Sequence, residues 1–232
     1  MALIFGKGEK LLLIGDSITD CGRARPVGEG SGAGLGQGYA LIVDALLGCC
    51  YPELGLRVVN MGTSGNQVRH LESRWQTDVV DLQPDWLSIM IGINDVWRRF
   101  DLPLRTEEHV SLVEFEEKLE SLVSGTKARV KGVILMTPYF LEPNLADPMR
   151  IAMDEYGAAV RRIACKHGTI FVDTQAAFDA ILVHSHPMNL AWDRIHPGAT
   201  GHAVLARTFL DAVGFQWGGA TGAPPMPSHL SD

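Results

Sequence analysis

Five short stretches, residues 10–14, 56–60, 86–91, 130–136 and 169–172, are apolar at successive positions rather than at alternate ones. A strand wetted on one face alternates apolar and polar side chains, so runs that are apolar on both faces must be covered on both sides. Helices are the available cover, and between the runs the apolar period changes accordingly. Tyr39, Ile42, Val43, Leu46 and Leu47 share one helical face, with Gly48 as its stop. Ser111 and Glu114 have capping-box spacing, Val110 and Phe115 could staple it, Phe115, Leu119 and Leu122 form a buried stripe, and Gly125 ends it. Asp147-Pro148 opens a helix carrying Met149, Met153, Tyr156, Val160 and Ile163, which Gly168 closes; Pro197 opens a last helix ending near Gly214. Strands alternating with helices, joined by right-handed crossovers, give a three-layer α/β/α sandwich around a five-stranded parallel sheet. Ligands of such folds bind at the carboxyl ends of the strands.

A chain of 232 residues suffices for one sizeable core. Residues 1–214 are expected to form one domain. From 215 to 232 periodicity yields to Gly and Pro, which reads as a tail, flexible or docked on a neighbour, with Phe215 and Trp217 favouring docking. The glycine-rich stretch 28–38 lacks a following Gly-Lys-Ser/Thr and does not sit at a strand-to-helix turn. It reads as a mobile loop near the site rather than a phosphate cradle.

Apolar residues make up 46% and charged residues 20% of the chain, which excludes the disordered and collagen-like classes. A net charge of −7 without a basic run argues against nucleic acid or an anionic membrane as partner. The pairs Arg98-Arg99 and Arg161-Arg162 read as solvated or ion-paired helix positions. The apolar run behind Lys7 and Lys10 is too short for a signal peptide, and no stretch approaches the ~18 apolar residues of a membrane helix. A cytoplasmic protein is expected. Cys21, Cys49, Cys50 and Cys165 lack C-x-x-C spacing and read as reduced, structural thiols. Cys21 draws notice by its place, but no His or second Cys adjoins it in sequence.

Chemistry-bearing residues gather where the expected strands end. Gly15-Asp16-Ser17 follows the first strand, Asn60-Met61-Gly62 the second and Gly92-Ile93-Asn94-Asp95 the third, while Asp193-Arg194-Ile195-His196 precedes the last helix. A serine hydroxyl needs a base to become a nucleophile, and His196 is the candidate. Asp193, three residues before it, can reach the other ring nitrogen and fix the tautomer. The backbone N–H groups of Ser17 and Gly62 and the Asn94 amide are placed to receive a developing oxyanion. Taken singly, Asp16-Ser17 is a helix cap, Asp193-x-x-His196 a cap or ion pair, and Gly92-x-Asn94 a turn; their joint order is what points to a site.

These four blocks resemble those of the SGNH hydrolases, the GDSL-type esterases and lipases. Ser17, Gly62, Asn94 and His196 stand at the four name-giving positions, and Ile18 replaces the usual Leu. The resemblance implies a flavodoxin-like fold, a catalytic triad of Ser17, His196 and Asp193, and an oxyanion hole from Ser17, Gly62 and Asn94. The segments G-D-S-I-T-D, N-M-G-T-S-G-N, I-G-I-N-D-V-W-R and W-D-R-I-H-P further resemble the acetylxylan esterase subgroup. That subgroup implies removal of acetyl groups from xylo-oligosaccharides or related sugars inside the cell, without metal or other cofactor, by homo-oligomers.

The alternatives are a lysophospholipase or thioesterase on the same scaffold, and a non-enzymatic flavodoxin-like binding module, which the complete residue set opposes. Asp16 and Asp95 could suggest a paired-carboxylate glycosidase, but each reads better as structural support for its loop. Trp192 and Trp97 each either pack in the core or wall the substrate pocket. His184 and His186 lack Cys or Glu at ligand spacing and read as surface histidines rather than metal ligands.

Overall fold

The computed structural model describes residues 2–30 and 32–217. Six strands, β1 (Lys10–Gly15), β2 (Gly28–Glu29), β3 (Arg57–Asn60), β4 (Trp86–Met90), β5 (Gly132–Met136) and β6 (Ile170–Val172), form one sheet in the order β2-β3-β1-β4-β5-β6. The five apolar runs pair in parallel, as their burial on both faces requires. Leu11, Leu12, Leu13 and Ile14 of β1 are fully buried, each contributing about 1.5–3 kcal/mol relative to exposure.

The expected five parallel strands are all present, and β2 extends the sheet to six as an antiparallel edge strand in which Gly28 pairs with Asn60 and Glu29 with Val59. Two residues are too few to carry a readable period, and they come from the glycine-rich stretch expected to be a loop. A Cβ on Gly28 would lie 2.6 Å from the Asn60 carbonyl oxygen, so only glycine allows this pairing. Arg57 fastens the edge by donating to both carboxylate oxygens of Glu29, at 2.7 and 3.0 Å.

The five parallel strands, numbered along the chain, lie in the order 2-1-3-4-5, the flavodoxin-like arrangement. The order reverses between β1 and β4, and a crevice is expected at their carboxyl ends. Eight α-helices lie among the described residues: α1 (Ser17–Asp20), α2 (Tyr39–Cys50), α3 (Val68–Trp75), α4 (Ile93–Asp101), α5 (Leu112–Lys127), α6 (Pro148–His167), α7 (Thr174–Leu182) and α8 (Ala199–Ala212). Helix α8 packs on α2 and α7, while α5 packs on α3 and α6, and α4 on α6, giving the two helical layers.

Gly48 and Gly125 do not stop their helices, which continue to Cys50 and Lys127. One helical glycine costs about 1 kcal/mol, which the packed apolar faces of both helices offset. The capping box at Ser111 is half formed. Its hydroxyl accepts the Glu114 N–H at 3.2 Å, but the Glu114 carboxylate turns to Arg69. Helix α6 starts and stops as its sequence requires, with Asp147 accepting from the Met149 and Arg150 N–H groups and Gly168 taking φ +60°. Beyond α8, Phe215 is buried edge-on against Tyr51, with ring centroids 5.5 Å apart. Trp217 lies 4.7 Å from the Phe215 ring and donates its indole N–H to Asp211. The rest of the expected tail, 218–232, lies outside the described residues.

Candidate active site

The candidate nucleophile stands where β1 meets α1. Gly15 ends the strand against β4, and a Cβ there would come within 2.3 Å of the Met90 carbonyl oxygen. Asp16 caps the short helix, its Oδ1 accepting the Ile18 N–H at 3.0 Å. Ser17 follows as the first helical residue, where a backbone N–H has no intrahelical partner. The cap and the candidate nucleophile are thus adjacent residues of a single turn, so the cap reading of this stretch does not compete with the catalytic one.

The Asp193–His196 segment is a second tight turn. Asp193 Oδ1 accepts the N–H groups of Ile195 and His196 at 3.0 and 2.8 Å, and Arg194 between them takes φ +66°. Tyr139 donates its hydroxyl to the Ile195 carbonyl at 3.0 Å, and the Leu141 N–H reaches the Arg194 carbonyl at 3.0 Å. The turn is therefore held from outside as well as from within. Asp193 Oδ2 then lies 2.6 Å from His196 Nδ1, and His196 Nε2 lies 2.8 Å from Ser17 Oγ, across 179 residues of sequence. A proton on Nδ1 facing the carboxylate leaves the Nε2 lone pair directed at the serine. Burial pushes the Asp193 carboxyl up, but hydrogen bonds from the His196 ring and the two backbone N–H groups outweigh it, so the group sits below its ordinary value.

Asn94, 2% exposed at the start of α4, follows Gly92, whose φ of +129° only glycine readily adopts. Its amide is oriented from both ends: Nδ2 donates to the Asn66 carbonyl at 3.0 Å, and Oδ1 accepts from Arg98 at 3.0 Å. Of the two expected settings for Arg98, solvated or ion-paired, the structure shows the ion-paired one, with Asp101, and the Asn94 contact is added to it. Arg98 also lies over the Trp97 ring. Gly62 packs so closely on α1 that a Cβ would meet the Asp20 nitrogen at 2.2 Å. Its N–H donates to Asn60 Oδ1 at 2.9 Å. The Asn60 amide is fixed in that sense because Nδ2 donates to the Thr19 and Leu35 carbonyls at 2.6 and 2.8 Å.

Trp97 meets His196 edge-on at 5.9 Å and borders a groove of about 310 Å³, lined also by Phe100, Asp101, Phe140, Asp147, Met149 and Arg194. Trp192 is 78% exposed, which removes the core-packing reading for it. Cys21 does find a histidine: its Sγ lies 3.4 Å from His202 Nε2. His202 Nδ1 accepts the Tyr39 N–H, so Nε2 carries the proton and faces the thiol as a donor. Burial holds His202 near a pKa of about 4 and pushes the Cys21 thiol up. This pair cannot generate a thiolate. His186 caps the Met188 N–H, and among the described residues no group of three or more His, Cys, Asp or Glu is placed to hold a metal ion. Among those residues no helix is long and apolar enough to cross a membrane.

Asp16 and Asp95 are buried beneath the site, and they accept the backbone N–H groups of Ile18 and Val68 respectively. Burial raises both carboxyls to about 7, against those hydrogen bonds. Between the ordinary carboxyl value and about 7 the folded chain holds protons that the unfolded chain has released, so stability falls as pH rises through that window. Asp95→Asn keeps an acceptor for Val68 and has no charge to desolvate. Urea unfolding at about pH 5 and about pH 8 is expected to show the wild type weaker at the higher pH and the variant with a smaller difference. An undiminished difference would remove Asp95 from the effect.

Residues 13–204 match the model of the GDSL-like lipase/acylhydrolase family. An acetylxylan esterase from Geobacillus stearothermophilus is 60% identical over 212 residues, 91% of this chain and 97% of that one. Its crystal structure superposes with a TM-score of 0.91, covering 92% of this chain and 97% of that one. Solved catalytic mutants of that enzyme carry alanine in place of a serine, an aspartate or a histidine. An alpha/beta hydrolase enzyme from the metagenome of Lake Arreo, Spain, is 53% identical, with a TM-score of 0.91 over 92% of this chain and 99% of that one. With the sheet order, the motif blocks and the family model in agreement, this chain belongs to the GDSL-like lipase/acylhydrolase family.

Proposed function

We propose that the protein is a serine carboxylesterase that removes acetyl groups from acetylated xylo-oligosaccharides. The observation that carries this reading is the unbroken chain from Asp193 through His196 to Ser17, with links of 2.6 and 2.8 Å. Ser17 Oγ attacks the acetyl carbonyl while its proton passes to His196 Nε2. The carbonyl oxygen becomes an oxyanion, received by the Ser17 N–H, the second Asn94 amide hydrogen and the Gly62 N–H. The Gly62 N–H already serves Asn60 Oδ1, but an anionic oxygen is the stronger acceptor and draws the shared hydrogen toward itself. His196 then protonates the departing sugar oxygen, leaving acetyl-Ser17. Water, deprotonated by His196, attacks that ester and releases acetate.

The groove bordered by Trp97, whose lining joins the rings of Trp97 and Phe100 to the charged Asp101 and Arg194, supports a sugar rather than a long acyl chain. Trp192, exposed beside Asp193, offers a further wall to the saccharide. Cytoplasmic placement and homo-oligomeric assembly belong to the same proposal, on the likeness to the acetylxylan esterase subgroup.

Deacetylation of mixed acetylated xylo-oligosaccharides, acetylated glucose and acetylated cellobiose, followed by NMR, tests the substrate. Xylose acetyls are expected to disappear fastest. Equal rates on all three would remove the xylo-oligosaccharide assignment and leave the esterase. p-Nitrophenyl octanoate outpacing the acetate would replace it with a lysophospholipase- or thioesterase-type acyl hydrolase.

A further inference from the structure

Arg74 lies in the last turn of α3, just before the helix widens into a π-helical turn at Gln76–Val80. Its guanidinium reaches three acceptors on two segments of the site, the end of β1 and the loop between β3 and α3. Nη2 donates to the Gly15 carbonyl at 3.0 Å, at the end of the strand that delivers Ser17. Nη1 donates to the Met61 carbonyl at 2.7 Å. Nε donates to Asn66 Oδ1 at 2.8 Å, and the Asn66 carbonyl is the acceptor that orients the Asn94 amide. Asp78, from the π-helical turn, holds the guanidinium at 2.5 Å.

We propose that Arg74 is a positioning residue for the oxyanion hole, setting the aim of its donors from behind through one rigid fork. The idea rests on the serine-esterase reading above. In a trans peptide the carbonyl and the following N–H point in opposite directions, so fixing the Met61 oxygen fixes the direction of the Gly62 N–H. Arg23 holds the next carbonyl, that of Gly62, at 2.7 Å, so this loop is pinned on both sides of its donor. The Asn66 arm acts on the third donor, because Asn66 supports Asn94. A planar guanidinium offers this fan of donors at fixed angles, whereas a lysine ammonium is a point charge on a flexible stem. Preorganised donors help only while their aim is kept, so loosening them should cost the rate of the acyl step rather than substrate affinity.

The test compares Arg74→Lys, Arg74→Ala and Asn66→Ala with Lys118→Ala, which breaks an ion pair to Glu72 on the surface of the same helix. The probes are p-nitrophenyl acetate and phenylboronic acid, which adds to the serine as a tetrahedral adduct with an oxygen in the oxyanion position. Arg74→Lys is expected to fold, to lose about ten- to a hundredfold in kcat with KM within about twofold, and to bind the boronic acid more weakly by a similar factor. Asn66→Ala should show a smaller parallel loss, Lys118→Ala none, and the acid limb of the pH profile should not move in any of them. A folded Arg74→Lys with unchanged kcat overturns the proposal. So does a fall in kcat with boronic acid affinity intact, since the residue would then act elsewhere. If no Arg74 variant folds, a fully active Asn66→Ala overturns it and a parallel loss in Asn66→Ala supports it. Failure of the esterase reading itself is separate, and appears as a Ser17→Ala variant that still hydrolyses the acetate.

Discussion

Ser17→Ala is expected to lower kcat by about 10⁶-fold while leaving a folded protein. Among the described residues the hydroxyl has one hydrogen-bond partner, His196 Nε2 at 2.8 Å, so removing it takes away the attacking oxygen and no bond that ties the fold together. Alanine keeps the backbone N–H at the start of α1, so the donors remain and some catalysis above the rate in water should survive. Cys21, four residues on, is no substitute, because it faces a histidine that donates to it and cannot deprotonate it. Two measurements check this together. Acid-quenched wild type mixed with p-nitrophenyl acetate should gain an acetyl group on the peptide containing Ser17, and the variant should gain none. A variant that keeps its turnover, or is acetylated elsewhere at the same rate, would sink Ser17 as the nucleophile.

How far the sequence led depends on what each feature needed in order to be seen. The five apolar runs announced the parallel sheet because burial on both faces is a local property of a strand. Helix α6 was visible at both ends, since Asp147, Pro148 and Gly168 act within a few residues of themselves. Asp193 and His196 lie three residues apart, so their bond was legible; the arrival of Ser17 beside them followed only from placing all the blocks on one rim. Strand β2 escaped because two residues have no period. Helices α3, α4 and α7 are short, with eight or nine residues each, and a buried stripe of three or four positions leaves little pattern to read. Arg74 was invisible for another reason. Two of its partners are main-chain carbonyls, which every residue carries, and nothing in a side-chain pattern marks which will be used. Arg98 could have been found, because it stands one helical turn after Asn94. The occupied Gly62 N–H likewise follows from an asparagine two residues earlier, a spacing that favours such a turn.

Asp193→Asn is the second large effect, expected at about 10⁴-fold in kcat with the fold kept. The aspartate does two kinds of work with two different oxygens. Oδ1 holds the turn by accepting the N–H groups of Ile195 and His196, and an asparagine oxygen can do the same. Oδ2 accepts from His196 Nδ1 at 2.6 Å, and there the asparagine presents an NH₂ group instead. A donor facing Nδ1 obliges that nitrogen to accept, which moves the ring proton to Nε2 and points it at Ser17 Oγ. The imidazole then stands in the right place without a lone pair for the serine proton, and the imidazolium formed later has lost its negative partner. Asp193→Ala separates the two kinds of work, because it also frees the two backbone N–H groups and Arg194 at φ +66° has less to hold it. The alanine variant should unfold at lower temperature, whereas the asparagine variant should match the wild type in unfolding temperature and in KM yet not in kcat. If the asparagine variant hydrolysed p-nitrophenyl acetate at the wild-type rate, the carboxylate would be a brace for the turn and the tautomer argument would fall.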